Sequence, residues 1–257
     1  MFGVTSIASG EAGGFWWAAA TDVGRLRSEN QDDWLVERTP RGLLFAVADG
    51  MGGHPNGAWA ARFACRELLE GVATAPPETS FSLAVLTGAL NDRLRSEAEA
   101  LGTPGAGTTL TAALLDGRTL RWVHVGDSRL YRFDGSALQL VTRDHNLAAE
   151  PGGHPRLANV LTRCLGMAGE LKPDAGEEDE PVGIILATDG LYLHVSPEAL
   201  LDTIRAPDLP RAVRELVALA NSSGGPDNIT VSLALPASGR RRYASFAIPT
   251  GAPHEAS

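Results

Sequence analysis

Lysine is almost absent from this 257-residue chain: Lys172 is the only one, in the plain context Leu171-Lys172-Pro173, and arginine supplies the remaining positive charge. No GxxxxGK segment occurs, which argues against a P-loop ATPase, and a kinase that depends on a strand lysine is disfavoured for the same reason. Cysteine is equally sparse. Cys65 and Cys164 are far apart with no CxxC spacing, so neither a zinc knuckle nor a disulfide framework is indicated. Cys65 falls within an expected helix and reads as a small core residue. The N-terminus has no basic region followed by an apolar core, and no apolar run approaches bilayer-spanning length. A cytoplasmic chain without a membrane span is the expectation. Positive charge is also in deficit, at -9 net. That argues against general nucleic-acid affinity, although a bound metal can reverse the sign locally for an anionic substrate. The hydrophobic share of 44% is that of an ordinary globular protein, long enough for one large domain or two small ones.

What the chain does have is a recurring association of apolar strands with aspartates. Residues 43–54, LLFAVADGMGGH, read as a buried strand that stops at Asp49-Gly50 and continues into a glycine-rich loop. One such Asp-Gly is ordinary turn chemistry. Residues 119–129, TLRWVHVGDSR, repeat the pattern up to Asp127, and residues 182–190, VGIILATDG, repeat it up to Asp189. Near the C-terminus the order inverts, with Asp227-Asn228 opening the run 229–235. A sandwich can bring such strand ends together. Carboxylates so placed repel one another and resist burial unless cations neutralise them, and an all-oxygen set favours Mg2+ or Mn2+ over Zn2+.

In chain order, residues 1–14 are Gly, Ala and Ser-rich and are expected to be disordered. Strands are expected at about 15–20, 33–37, 43–49, 108–115, 119–125, 128–133, 138–141, 182–187 and 228–235. Helices are expected at about 56–70 and 80–101, from the Ser196-Pro197 start, and at 208–221. The leucines at 83, 86, 90, 94 and 101 lie on one helical face as core packing. The polar stretch 25–33 holds Arg27, Asn30 and Asp32, residue types suited to a phosphate and metal site. The acidic run 174–180 reads as a solvated loop, and residues 237–257 as a disordered tail.

With these motifs in order, the chain resembles the metal-dependent protein Ser/Thr phosphatases (the phosphatase 2C-like, or PPM, family) in their bacterial form. The resemblance rests on TDVGRLRSENQDD, VADGMGGH, GTTLTAALL, HVGDSRLY, TRDH, NVLTRCLG, LATDGL and GGPDNITV, and spans about residues 16–235. It implies an α+β fold, a four-layer α/β/β/α sandwich of two antiparallel sheets flanked by helices, over residues 15–236. It also implies a binuclear site with Mn2+ or Mg2+, two ions and a possible third. Asp49 bridges the pair, the Gly50 carbonyl binds one ion, and Asp189 and Asp227 bind the other. Asp32 holds metal-bound water, and Asp127 serves a third, weaker site with Asp189. Arg27 matches the phosphate-binding arginine. The implied reaction is in-line attack of a metal-bridging hydroxide on phosphoserine or phosphothreonine in proteins, opposing a Ser/Thr kinase. His54 is the candidate general acid, with His145 as its competitor.

The sequence departs from the family pattern at three places. Gln31 stands where the family has Glu, which implies a weaker, water-mediated hold on one metal, with Asp33 as a candidate to compensate. Ala58 replaces another Glu. The stretch between His145 and Asn159 is much shorter than the family's flap. These departures keep a catalytically silent binding module of the same fold in play, against which the joint presence of Asp49, Asp127, Asp189 and Asp227 argues. A metal-dependent nuclease uses similar chemistry, but the chain lacks a basic stripe.

Overall fold

The computed structural model describes residues 6–51, 56–76, 81–117, 119–134, 136–179, 183–206 and 208–237. Within them the chain forms two antiparallel sheets. The first has the order β1 (Ser6–Ala12), β2 (Phe15–Asp22), β12 (Ile229–Pro236), β11 (Gly183–Ala187), β8 (Arg129–Phe133) and β9 (Leu138–Leu140). The second has the order β10 (Asp174–Asp179), β7 (Thr119–Val125), β6 (Leu110–Leu115), β4 (Gly42–Met51) and β3 (Asp32–Thr39), with the two-residue β5 (Gly107–Thr108) paired to the end of β4. Helices α1 (Asn56–Thr74) and α2 (Leu83–Ala100) cover the second sheet. Helices α3 (Asp189–Tyr192), α4 (Pro197–Ile204) and α5 (Leu209–Ser222) cover the first. This is the four-layer α+β sandwich expected.

The period of two along each strand builds the layers. On β4, Leu43, Phe45 and Val47 pack between the sheets with Phe15, Leu130, Ile184 and Leu186. The alternate residues Leu44, Ala46 and Ala48 pack under α1 and α2 with Leu68, Leu90 and Leu94. Side chains of successive strand residues point to opposite faces, so Asp49 continues the inter-sheet series at the end of the strand. On β11, Ile184 and Leu186 face the other sheet while Ile185 and Ala187 meet Val213, Leu216 and Val217 of α5.

Two expectations are corrected. Residues 6–12 of the expected disordered N-terminus form β1, paired along its whole length with β2 from Ser6↔Thr21 to Ala12↔Phe15. Small residues gain strand structure here from a neighbour's free edge, and Gly10 leaves room for the Trp17 indole, which a Cβ would approach to 3.1 Å. Residues 1–5 lie outside the described residues. The acidic run is not a loop but β10, whose alternating faces are paired: Arg121 bonds Glu177 at 3.0 Å and Arg132 bonds Glu178 at 3.0 Å. Of the expected tail, Ala237 donates to the Gly14 carbonyl at 2.8 Å, and residues 238–257 lie outside the described residues. Among the described residues, no helix is long and apolar enough to cross a membrane.

Candidate metal centre

One end of the sandwich collects the aspartates from both sheets. Asp32 opens β3 and Asp49 lies near the end of β4, directly opposite each other in register. Asp189 begins α3 just after β11, and Asp227 precedes β12. Asp127 lies in the turn 126–128 that carries the chain from β7 in one sheet to β8 in the other. Burial holds the Asp49 carboxyl well above its ordinary range, and Asp32, Asp189, Asp127 and Asp227 all raise it further. Burial likewise pushes Asp32 up to about 7, against the pull of the Thr230 and Thr188 hydroxyls, with Asp189 and Asp227 adding to the rise. Asp127 is pushed to about 7 by burial, then by Asp189 and Asp144. Asp189 is raised by burial and then by Asp227. Repulsion among them joins these five carboxylates in one electrostatic unit.

Backbone close approach gives the site its form. A Cβ on Gly50 would lie 2.2 Å from the Gly57 carbonyl oxygen and 2.7 Å from that of Gln31, so β4 can meet the start of α1 only through glycine. Gly190 is equally confined, its Cβ position lying 1.9 Å from the Asn228 carbonyl oxygen. Thr109 interrupts the expected strand 108–115: its hydroxyl accepts the Asp49 amide at 2.9 Å, its amide donates to the Asp49 carbonyl at 2.9 Å, and its hydroxyl meets Ser128 at 2.7 Å. Thr188 donates to Asp32 Oδ2 at 2.8 Å. Asn228 accepts the Gln31 amide at 2.8 Å and donates to the Val23 and Glu29 carbonyls at 3.0 and 2.9 Å, pinning the 23–31 loop. Thr109, Thr188 and Asn228 join the expected site residues; their signal in the sequence is adjacency to Asp189 and Asp227 and membership of the GTT motif.

The donor set fits a divalent cation. Asp32 Oδ1 and Asp189 Oδ1 are buried and lack hydrogen-bond donors among the described residues. A hydrogen bond between Asp49 and Asp189 exists only while one of them keeps its proton. A hard cation answers both deficits at once. Among the described residues, no three such groups are drawn together tightly enough to close a cation cage. Two contacts hold carboxylates aside: Arg27 Nη2 takes Asp227 Oδ2 at 2.8 Å, and Thr188 takes Asp32. Arg27 thus lies at the rim, half exposed, beside an expected ligand.

The remaining candidates separate cleanly. His54 lies outside the described residues, with Gly52, Gly53 and Pro55. His145 is buried with both ring nitrogens engaged: Nδ1 accepts the Gly126 amide at 3.2 Å, and Nε2 faces Asp174 Oδ2 at 3.2 Å. Asp33 does not compensate for Gln31. It neighbours Asp32 on a strand and so faces the other way, towards Cys65 and Arg62 of α1.

The protein phosphatase 2C family profile matches residues 25–232. The serine/threonine protein phosphatase PstP of Mycobacterium tuberculosis is 31% identical over 233 residues, covering 85% of this chain and 44% of that protein. The chain therefore spans under half the length of that relative. The protein phosphatase PhpP of Streptococcus pneumoniae is 32% identical over 237 residues, covering 83% of this chain and 94% of that protein. The crystal structure of the PstP catalytic domain in complex with two manganese ions superposes with a TM-score of 0.75 at 31% identity, covering 86% of this chain and 97% of that one.

Proposed function

This chain belongs to the protein phosphatase 2C family, and from that premise we propose that it is a Mn2+- or Mg2+-dependent phosphatase of phosphoserine and phosphothreonine in proteins. The observation that carries the proposal is the cluster of Asp32, Asp49, Asp127 and Asp189, each raised by burial and by neighbouring carboxylates that include Asp227, with orphaned oxygens on Asp32 and Asp189. Asp49 and the Gly50 carbonyl would hold one cation, Asp49, Asp189 and Asp227 the other, Asp32 would act through water, and Asp127 with Asp189 would serve a weaker third. Bound there, the cations supply Lewis acidity and an activated water nucleophile at neutral pH.

Arg27 offers a planar fork to the phosphoryl oxygens and neutralises the charge that builds on them during in-line displacement. Its bond to Asp227 at 2.8 Å supports this reading, since it puts the guanidinium beside an expected ligand. Phosphate recognition exchanges that carboxylate partner for the substrate's oxygens. The departing alkoxide needs a proton, and with both His145 nitrogens committed we assign that role to His54. The reading extends to a cytoplasmic enzyme opposing a Ser/Thr kinase, with phosphoproteins as partners.

The test is hydrolysis of a phosphothreonine peptide with and without Mn2+, for wild type and Asp189→Asn. The expected result is metal-dependent turnover that the substitution abolishes. A folded protein without turnover at millimolar Mn2+ would instead support the silent binding module.

A further inference from the structure

The segment 142–145, Thr-Arg-Asp-His, takes no part in the chemistry above, yet it is laced to the turn that presents Asp127. The Thr142 hydroxyl accepts the Leu130 amide at 3.1 Å. Asp144 grips Arg129 at two points, 2.9 and 2.8 Å. Arg129 in turn lies 3.7 Å over the Tyr192 ring centroid, and the Tyr192 hydroxyl donates to the Asp127 carbonyl at 3.0 Å. His145 closes the lacing from the other side. Its amide donates to the Gly126 carbonyl at 2.7 Å while its Nδ1 accepts the Gly126 amide at 3.2 Å.

Gly126 is the hinge of that turn. Its φ of 107° lies in the region reserved for glycine, and a Cβ there would come within 2.6 Å of Thr109. A buried amide in such a conformation needs a partner, and His145 is the one it has. The imidazole is itself held from behind. Acceptance at Nδ1 puts its proton on Nε2, which points at Asp174 Oδ2 at 3.2 Å; Arg163 Nη1 lies 3.2 Å from the same nitrogen and donates to Asp174 Oδ1 at 2.9 Å, so both donors converge on that carboxylate. The His145 carbonyl accepts the Thr162 amide at 2.8 Å, so the same residue also closes the loop that runs from 146 to 161.

We infer that His145 is a positioning residue for Asp127: its ring, fixed by Asp174, holds the Gly126 amide and so sets the direction from which the next carboxylate enters the metal site. The inference rests on the reading of Asp127 as a ligand of the third, weaker cation. Groups that hold the chain next to a ligand govern affinity by orientation, as hydrogen-bonded partners of the ligand itself do.

The test compares wild type, His145→Ala, His145→Asn and Asp127→Asn, each checked for folding by circular dichroism. Mn2+ binding is followed by calorimetry, and phosphopeptide hydrolysis by kcat, KM and the pH profile of kcat. His145→Ala is expected to weaken the weakest Mn2+ site by about tenfold or more. Its kcat falls in step, with KM within about twofold of wild type and the shape of the pH profile kept. His145→Asn restores most of both, because its Oδ1 can accept the Gly126 amide. An unchanged Mn2+ titration in His145→Ala, an Asn variant as impaired as the Ala variant, or the loss of one limb of the pH profile would each overturn the inference. Asp127→Asn titrating like wild type would overturn the ligand reading itself, a failure distinct from that of His145.

Discussion

Asp32 and Asp49 stand directly opposite each other on neighbouring antiparallel strands, both on the face that looks between the sheets. Like charges at opposed positions weaken a sheet, and burial raises both carboxyls towards the neutral form. A divalent cation between them removes the repulsion. Mn2+ at 100 times its dissociation constant is therefore expected to stabilise the metal-free protein by about 2.7 kcal/mol. Asp49→Asn is expected to raise metal-free stability and to lose that increment. Calorimetric melting after chelation, with and without Mn2+, checks both; an equal Mn2+ shift in the variant would place the cation elsewhere.

Arg27 and Asp227 form an ion pair with side chains 45% and 32% exposed. Such a pair contributes under about 1 kcal/mol to stability. Arg27→Ala should therefore melt close to wild type while losing roughly ten- to a hundredfold in kcat/KM, the worth of a charge-assisted bond to phosphate. Arg27→Lys should recover only part, because an ammonium cannot grip two phosphoryl oxygens in a plane. A large fall in melting temperature with unchanged kcat/KM would assign Arg27 to structure alone.

The strands of the two-sheet core were legible because their signals are local. Leu43 to Ala48 and Ile184 to Ala187 are apolar on both faces, and each run ends beside an aspartate. β1 and β10 were not legible because their strand character is borrowed. Ser6–Ala12 has too few large side chains to declare itself, and Asp174–Asp179 looks solvated until Arg121 and Arg132 are seen across from Glu177 and Glu178. Within the site, the aspartates announced themselves by recurrence. Thr109, Thr188 and Asn228 act through hydrogen bonds to residues far away in the chain, and composition carries no trace of those.

Two glycines should respond oppositely to alanine. A Cβ on Gly50 meets the Gly57 carbonyl oxygen at 2.2 Å, so Gly50→Ala forces β4 from α1 at a cost of about 1–3 kcal/mol and displaces the adjacent Asp49. Gly88 lies in α2 with nothing within 4 Å of its Cβ position. Gly88→Ala is expected to add about 0.4–1 kcal/mol and leave turnover unchanged. Urea unfolding of both variants reads the contrast, and equal effects would show that the close approach at Gly50 relaxes freely.

His124 supplies a pH dependence inside the core. Burial, then His145, lowers its pKa to about 4, while its Nε2 bonds the Arg143 carbonyl at 3.1 Å and its Nδ1 meets Thr111 at 2.9 Å. A folded pKa below the ordinary 6.5 means that the unfolded chain takes up the proton first. The stability that the neutral ring confers is present above about pH 6.5 and is lost as pH falls towards 4, by up to on the order of 3 kcal/mol. His124→Gln should flatten that slope. Urea titrations at pH 7 and pH 5 decide it, and a variant with the wild-type slope would clear His124 of the effect.

Gln31 is where a carboxylate would do most. Its amide donates to Asn228 and its carbonyl accepts the Gly50 amide at 3.1 Å, while its side-chain carboxamide packs against Gly57 at the start of α1. Gln31→Glu adds a buried anion near the Gly50 carbonyl, an expected cation ligand, so without metal the variant should unfold more easily at pH 7, where desolvation acts unrelieved. With Mn2+ the same charge becomes an attraction, and binding by calorimetry should tighten. Tighter Mn2+ binding together with a lower metal-free melting temperature is the expected signature. A Gln31→Glu protein unchanged in both would show that position 31 lies beyond the reach of the metal site, and that the neutral amide there does not weaken it.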